Sequence, residues 1–237
     1  MQQIRLSEIS IDVILKDIKN IHLSVHPPTG RVRISAPARF DLDTIRIFAL
    51  SKINWIRKHR TGFKKQEREA KRDYITQESH YFLGKRFLLK VIEEQAPPRV
   101  VRKHNTIELY VRKTNSAQKK QEILTTWYRQ QLKQILPKYI SKWEDKMDVR
   151  VSQHGIRKMK TRWGTCNRES KRIWFNLELA KKPPQCLEYI VVHEMVHLLE
   201  RKHNERFKAL MDKYMPQWRL YKEELNRFPL SHAEWKY

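Results

Sequence analysis

Two histidines four residues apart, His193 and His197, constrain this chain more than any other feature of its sequence. Residues at positions i and i+4 of an α-helix lie on one face, so both imidazoles can reach the same metal ion. Glu194 directly follows the first histidine, and a glutamate at this place is the general base of many zinc hydrolases. The segment therefore predicts a helix that carries two metal ligands and a base.

A third histidine, His203, comes six residues after His197. Catalytic zinc takes three protein ligands and leaves one position open for water, so the site needs a third ligand. In a continuous helix, His203 would lie about 15 Å beyond His193 along the axis, too far away to share an ion. We therefore expect the helix to end between Leu199 and His203, so that the third imidazole returns to the metal.

The sequence around the histidines supports a metal site. Pro183 and Pro184 mark the start of a helix that is mostly apolar. A core helix would bury histidine and glutamate at a high cost unless they had partners, and a metal ion supplies one. Two alternatives remain: a polar helix face with an incidental histidine, and a third ligand from Glu223 or Glu224 in place of His203.

The periodicity of apolar residues predicts an α+β fold. We expect residues 1–115 to form an N-terminal β-rich region with one helix near Ile45 to Ile56 and a hairpin that turns at Pro27-Pro28. The charged residues 64–73 are expected to form an exposed connector or an extension of the helix. Residues 116–237 form a zincin-like α/β metallopeptidase module. It begins with a helix from Ser116 to about Met147, in which Pro137 predicts a kink or break. Packing of both regions into one compact unit is the alternative.

Arg162, Trp163 and Gly164 lie between two predicted strands of this module. A glycine beside an aromatic residue lets the backbone come close to another group, and an exposed edge strand can hold an extended peptide by main-chain hydrogen bonds. These three are candidate substrate-binding residues, with a packed tryptophan at a strand bend as the alternative. Arg162, His154 and Tyr214 are candidates for stabilising an oxyanion.

The net charge adds a second candidate partner. The chain has 237 residues and a formal charge of +24, and a field of that sign attracts polyanions. We therefore consider non-specific binding of nucleic acid, with Trp55 beside Arg57 and Lys58 able to stack on bases. A solvated basic surface without a dedicated ligand is the alternative. The sequence has no signal-peptide pattern and no membrane-spanning run, which predicts a cytoplasmic protein without a membrane partner.

Several segments resemble the YgjP-like metallopeptidase family, which is related to the SprT-like and WLM groups of zincins. The resemblance covers most of the chain and is most specific from Lys158 to Phe207. It implies a Zn²⁺ site of His193, His197 and His203 with Glu194 as base. Glu200 stands where metzincins have the glycine that lets the chain turn. The segments that carry the resemblance are Lys160–Cys166, Ile173–Leu177, Tyr189–His197 and His203–Phe207.

Residues and resemblance together predict a zinc-dependent metallopeptidase that acts on peptides or proteins, with Glu194 accepting a proton from metal-activated water. One alternative is a DNA-associated protease of SprT-like type, recruited by its basic surface. Another is a non-catalytic binding module that contains zinc. The glutamate argues against the second alternative, because a structural metal site needs no base.

Overall fold

The computed structural model describes residues 2–26, 29–65, 72–159 and 162–227, and these form two compact units. The first unit comprises the described residues up to 65, and the second comprises those from 72 onward. The division therefore falls near residue 68, earlier than the boundary that the sequence predicted between residues 115 and 116. Pro27, Pro28 and residues 66–71 of the predicted connector lie outside the described residues.

The first unit is a four-stranded sheet followed by two helices. The strand order is β1-β2-β4-β3, with a parallel central pair and antiparallel outer pairs, and the β3–β4 pair confirms the predicted hairpin. Ile45, Ala49 and Ile56 of the helices share one buried core with the inward-facing strand residues. The elements are β1 (Gln2–Leu6), β2 (Ile9–Lys16), β3 (His22–His26), β4 (Arg31–Pro37), α1 (Leu42–Ser51) and α2 (Ile53–Lys65).

The single helix predicted in this region is two helices, α1 and α2. They separate at Lys52, whose backbone (φ −107°, ψ 9°) lies outside the helical region and whose N–H donates to the Ala49 and Leu50 carbonyls. The sequence did not indicate this break, because Ile45 and Ile56 on either side of it face the same core. A periodic pattern of apolar residues predicts which face of a helix is buried. The buried faces of α1 and α2 pack on the same core, so the pattern does not show where one helix ends and the next begins.

The second unit begins with another four-stranded sheet, and its order β5-β6-β8-β7 repeats the strand order and pairing of the first sheet. The strands are followed by the predicted long helix, which is capped by Ser116 and continues through Pro137 without ending. Buried residues of strands and helix belong to one core, which is why this sheet groups with the second unit. The elements are β5 (Ser79–Phe82), β6 (Lys85–Glu93), β7 (Arg99–Arg102), β8 (Thr106–Val111) and α3 (Ala117–Met147).

In the described part of the chain, a three-stranded sheet, a 3-10 helix and three α-helices complete the second unit. The strand order is β10-β11-β9, so β10 lies at an edge. The prediction of an α+β fold with β-rich N-terminal sheets and later helices is confirmed. No helix in the described part of the chain is long and apolar enough to cross a bilayer. The elements are β9 (Gln153–Arg157), β10 (Gly164–Asn167), β11 (Arg172–Asn176), a 3-10 helix (Leu177–Lys181), α4 (Pro184–Leu199), α5 (Glu205–Tyr214) and α6 (Trp218–Arg227).

The turn between β5 and β6 anchors the start of α4. Gly84 has a φ of +78°, and a Cβ there would lie 2.8 Å from the Pro183 ring. The Leu83 N–H donates to the Ala180 carbonyl at 2.9 Å, and the Gly84 N–H donates to the Lys181 carbonyl at 3.2 Å. This contact needs a residue without a side chain, and it fixes the helix that carries the histidine pair against the sheet before it.

Candidate metal centre

Helix α4 has the bounds that its sequence predicts. Pro184 occupies the first turn, where its missing N–H breaks no helical hydrogen bond, and Pro183 precedes it. The helix ends at Leu199, and Glu200 is already extended with φ −138° and ψ 118°. The predicted break before His203 is therefore confirmed, and the chain leaves the helix axis directly after the histidine pair.

The chain returns to α4 at His203, immediately before α5. Asn204 caps α5, and its side chain accepts a hydrogen bond from the Phe207 N–H at 3.0 Å. His203 Nε2 lies 3.0 Å from His193 Nε2, close to the roughly 3.3 Å between two nitrogens of a tetrahedral zinc site. One nitrogen from each of His193, His197 and His203 lies within 4.8 Å of the others. The three imidazoles thus present a donor set that fits a metal ion.

The surroundings of His193 and His197 favour the neutral form of both imidazoles, which is the form that binds metal. Burial, together with the charges of His197, His203 and Lys222, lowers the pKa of His193 to about 3. Burial also lowers the pKa of His197. The Nδ1 of His197 lies 3.0 Å from the Glu200 carbonyl oxygen, so an N–H there leaves Nε2 as the free donor atom. A neutral imidazole held in one tautomer is a ready metal ligand.

Phe207 supports the three histidines, and the sequence patterns gave it no role beyond the resemblance. Its ring centroid lies 5.0 Å from that of His193, 4.8 Å from that of His197 and 4.7 Å from that of His203. The side chain is buried on the first turn of α5. Asn204 as an N-cap marks Phe207 as a residue of the first turn of α5, and its contact with the histidines is visible only in the fold.

Glu194 is buried beside this cluster, with 6% of its surface exposed. Burial raises the pKa of Glu194 to about 8, and the positive charge of Arg162 acts in the opposite direction. A Cβ on Gly164 would lie 2.6 Å from Glu194 Oε1. The sequence predicted a close approach at this glycine without identifying the partner, and the partner is the Glu194 carboxyl group.

The other two candidate substrate-binding residues lie just before edge strand β10. Arg162 is exposed. Trp163 is partly buried against the core of the second unit, with the Lys182 ammonium 5.6 Å from its ring centroid. Lys160 and Thr161, which belong to the segment that resembles the family, lie outside the described residues.

The alternative third ligands lie elsewhere. The Glu224 carboxylate accepts hydrogen bonds from Gln185 at 3.1 and 3.2 Å and lies 3.6 Å from the Cys186 sulfur. Gln185 is eight residues before His193 on α4, or about 12 Å along the axis. Glu223 is exposed on α6. Within the described ranges, neither glutamate belongs to a cluster of groups that could hold a metal.

The two further oxyanion candidates are also placed by the fold. His154 lies on β9, which β11 separates from β10. Burial lowers its pKa, and the negative charge of Glu144 opposes that shift. Tyr214 is the last residue of α5, packs against the core and lies under the Lys213 ammonium. The charge of Arg162 acts on Glu194 of α4, which makes Arg162 the best placed of the three candidates among the described residues.

The sequence as a whole matches the model of the YgjP-like metallopeptidase domain over residues 19–228. The chain therefore belongs to the YgjP-like metallopeptidase family. This membership makes it a metal-dependent peptidase whose substrates are peptides or proteins. No curated protein is significantly similar to it in sequence.

Among solved structures, the chain is similar to the metallopeptidase zymogen jannalysin of Methanocaldococcus jannaschii. The two sequences are 16% identical, and the TM-score is 0.34. The similarity covers 38% of this chain and 91% of jannalysin.

The contact between Gly164 and Glu194 leads to a test. Gly164→Ala places a methyl group where the Glu194 carboxyl group lies, so we expect peptidase turnover to fall about tenfold or more with an unchanged metal content. Metal is measured by plasma mass spectrometry, and turnover with a peptide library.

The matched control is Gly155→Ala, because a Cβ at Gly155 would also be crowded, but by the Trp174 ring on β11. This control should lower the unfolding temperature and keep the turnover per folded molecule. Full turnover in Gly164→Ala would show that the close approach has no part in catalysis.

Proposed function

We propose that His193, His197 and His203 bind a Zn²⁺ ion and that Glu194 is the general base of a peptide-bond hydrolysis. The observation that carries this proposal is the convergence of three imidazole nitrogens within 4.8 Å of one another, two of them on the helix that also holds a buried glutamate. Three imidazole nitrogen donors with one position left for water are typical of catalytic zinc. Zinc, when bound there, supplies a Lewis acid that activates water and polarises the scissile carbonyl.

The chain itself supplies the proton transfer. Glu194 accepts a proton from the attacking water and then delivers it to the amine that leaves. Burial favours proton uptake by this carboxyl group, and the positive charge of Arg162 limits that effect. Gly164 leaves the room that the carboxyl group needs. These contacts support a base that is held in place.

The position of β10 supports binding of an extended peptide. This strand pairs with β11 on one side, and its other edge carries no strand in the described part of the chain. Unpaired main-chain groups at such an edge can bind a peptide as an additional strand. Because Gly164 of β10 lies beside Glu194, a peptide at this edge would run past the base. Arg162 and Trp163 are the side chains next to it.

The buried position of Glu194 also argues against a purely structural zinc site. A structural site is closed by four protein ligands, whereas three histidines form the cluster in the described part of the chain. Burial of an additional carboxyl group lowers the stability of the folded chain unless the group has a partner. A catalytic role of Glu194 accounts for this buried carboxyl group.

Glu194→Gln tests the base. The amide keeps the shape of the side chain and cannot accept the proton, so we expect zinc binding and folding to persist while turnover falls about 100-fold or more. Metal content, unfolding temperature and cleavage of a peptide library are measured on the same preparation.

Glu205→Gln is the matched control, because Glu205 is an exposed acid two residues after His203 and pairs with Lys208. It should keep the turnover of the original chain. Turnover of Glu194→Gln at that same level would contradict the assigned base. Inactivity of the original zinc-loaded chain towards every peptide would favour the non-catalytic module.

The first sheet provides an observation in favour of nucleic acid as a second partner. Its face opposite the helices carries Arg5, Arg31 and Arg33, because these positions alternate with buried core residues. Asp12, on the same face, pairs with Arg31. Burial and the charges of Arg33 and Arg31 lower the pKa of His26, as expected where positive charge accumulates. We propose that this face binds nucleic-acid phosphates without sequence preference.

Salt dependence tests this second proposal. Arg5→Gln combined with Arg33→Gln should lower the slope of log affinity against log salt by about two for duplex DNA, because each lost phosphate contact releases roughly one counterion fewer. Arg31 is left intact because it pairs with buried Asp12. Fluorescence anisotropy at several salt concentrations measures the slope.

Lys133→Gln combined with Lys138→Gln is the control, since both lysines are exposed on α3 and the same charge is removed. An equal loss of slope in both double variants would show that the charge acts diffusely and that the first sheet is no binding face.

A further inference from the structure

Asn176 is a buried polar residue at the end of β11, with 4% of its surface exposed. Its side-chain nitrogen donates to the carbonyl oxygens of Met159 at 2.9 Å and Arg162 at 2.8 Å. Its side-chain oxygen accepts from the N–H of Met159 at 3.3 Å and from that of Glu178 at 3.2 Å. Both donors and both acceptor positions of the amide are therefore used.

Most of these bonds go to the chain that leads into β10. In addition to the side-chain contacts, the Asn176 backbone N–H donates to the Trp163 carbonyl at 2.8 Å. The ladder between β10 and β11 begins at the next pair, where Gly164 lies opposite Phe175. Asn176 thus fixes the chain on the N-terminal side of Gly164, the residue whose backbone lies against Glu194.

We propose that Asn176 is a positioning residue of the peptidase site, which holds Met159, Arg162 and Trp163 so that β10 begins beside Glu194 and presents its open edge to the substrate. This inference rests on the proposed function. Asn176 touches no reacting atom and acts through the strand that it holds. Gly164 has no side chain and therefore leaves space for the Glu194 carboxyl group. Asn176 holds the start of the strand that carries this glycine.

A purely structural role for Asn176 makes a different prediction. The residue also caps the 3-10 helix through its side-chain oxygen. A cap needs only an acceptor, and aspartate caps a helix as well as asparagine does. The bonds to the Met159 and Arg162 carbonyl oxygens need the two N–H groups of the amide, which aspartate lacks. Asn176→Asp therefore keeps the cap and the acceptor for the Met159 N–H, removes both donated bonds, and turns a carboxylate towards two carbonyl oxygens.

The experiment compares Asn176→Asp and Asn176→Ala with Asn115→Ala in the zinc-loaded chain of 237 residues. Asn115 is a matched control, because its side chain accepts from the Arg112 N–H at 2.9 Å in the turn before α3. Hydrogen exchange of peptides from Met159 to Asn167, zinc content, unfolding temperature, and kcat and KM for a peptide substrate are measured for each variant.

Both Asn176 variants should exchange faster at the start of β10 while about one zinc per chain is retained. Their kcat/KM should fall about tenfold or more, mainly through a higher KM, because the edge that binds the peptide is no longer held in place. Asn115→Ala should keep exchange near Gly164 and kcat/KM close to those of the original chain.

Two results would overturn the inference. If Asn176→Asp matches the original chain in exchange and in kcat/KM, Asn176 is only a helix cap. If exchange accelerates while kcat/KM is unchanged, the strand is held but catalysis does not depend on it. A different result would show that the proposed function itself is wrong: the original zinc-loaded chain would then cleave no peptide. In that case the proposal for Asn176, which rests on the proposed function, would be wrong as well.

Discussion

The carboxyl group of Glu194 lies in the interior of the second unit, where an ionised group without a partner is costly. Burial raises its pKa, Arg162 adds a positive charge nearby, and a strand that carries glycine at the closest point leaves room for it. The neighbouring His193 is buried too, and its pKa is depressed. The proposed roles of a metal ligand and a proton acceptor account for a buried imidazole and a buried acid on one helix.

The rest of the second unit holds these groups in place. The β5–β6 turn packs on Pro183 at the start of α4. At the other end the helix stops at Leu199, and the cap of α5 at Asn204 turns the chain so that His203 reaches the pair. Phe207 then packs against all three imidazoles. Each of these features is local, and together they keep three nitrogens close enough to share one ion.

The sequence predicted the parts of the site that depend on helical spacing. The placement of His193 and His197 on one helix face and the helix end before His203 follow from the geometry of a 3.6-residue turn. The close approach at Gly164 was also predictable, because glycine beside an aromatic residue indicates crowded backbone. Its partner was not, since two segments thirty residues apart meet only in the folded chain.

Other features lay outside what sequence patterns report. Alternation gives the buried face of a strand but not its neighbour, so β5 to β8 were grouped with the first sheet although they share a core with α3. The sequence did not show that the two sheets have the same strand order. Alternation of buried and exposed residues is compatible with many strand orders, so it predicts none of them. Asn176 gave no signal either. An asparagine at a strand end indicates a turn, and its hold on Met159 and Arg162 appears only in three dimensions.

The identity of the metal ligands is the central claim, and X-ray absorption at the zinc edge tests it most directly. We predict three imidazole nitrogens and one oxygen at about 2.0–2.1 Å, with one imidazole lost in His203→Ala. His154→Ala, which changes a histidine on β9, should leave the spectrum unchanged. A site of four protein ligands, or an unchanged imidazole number in His203→Ala, would contradict the account.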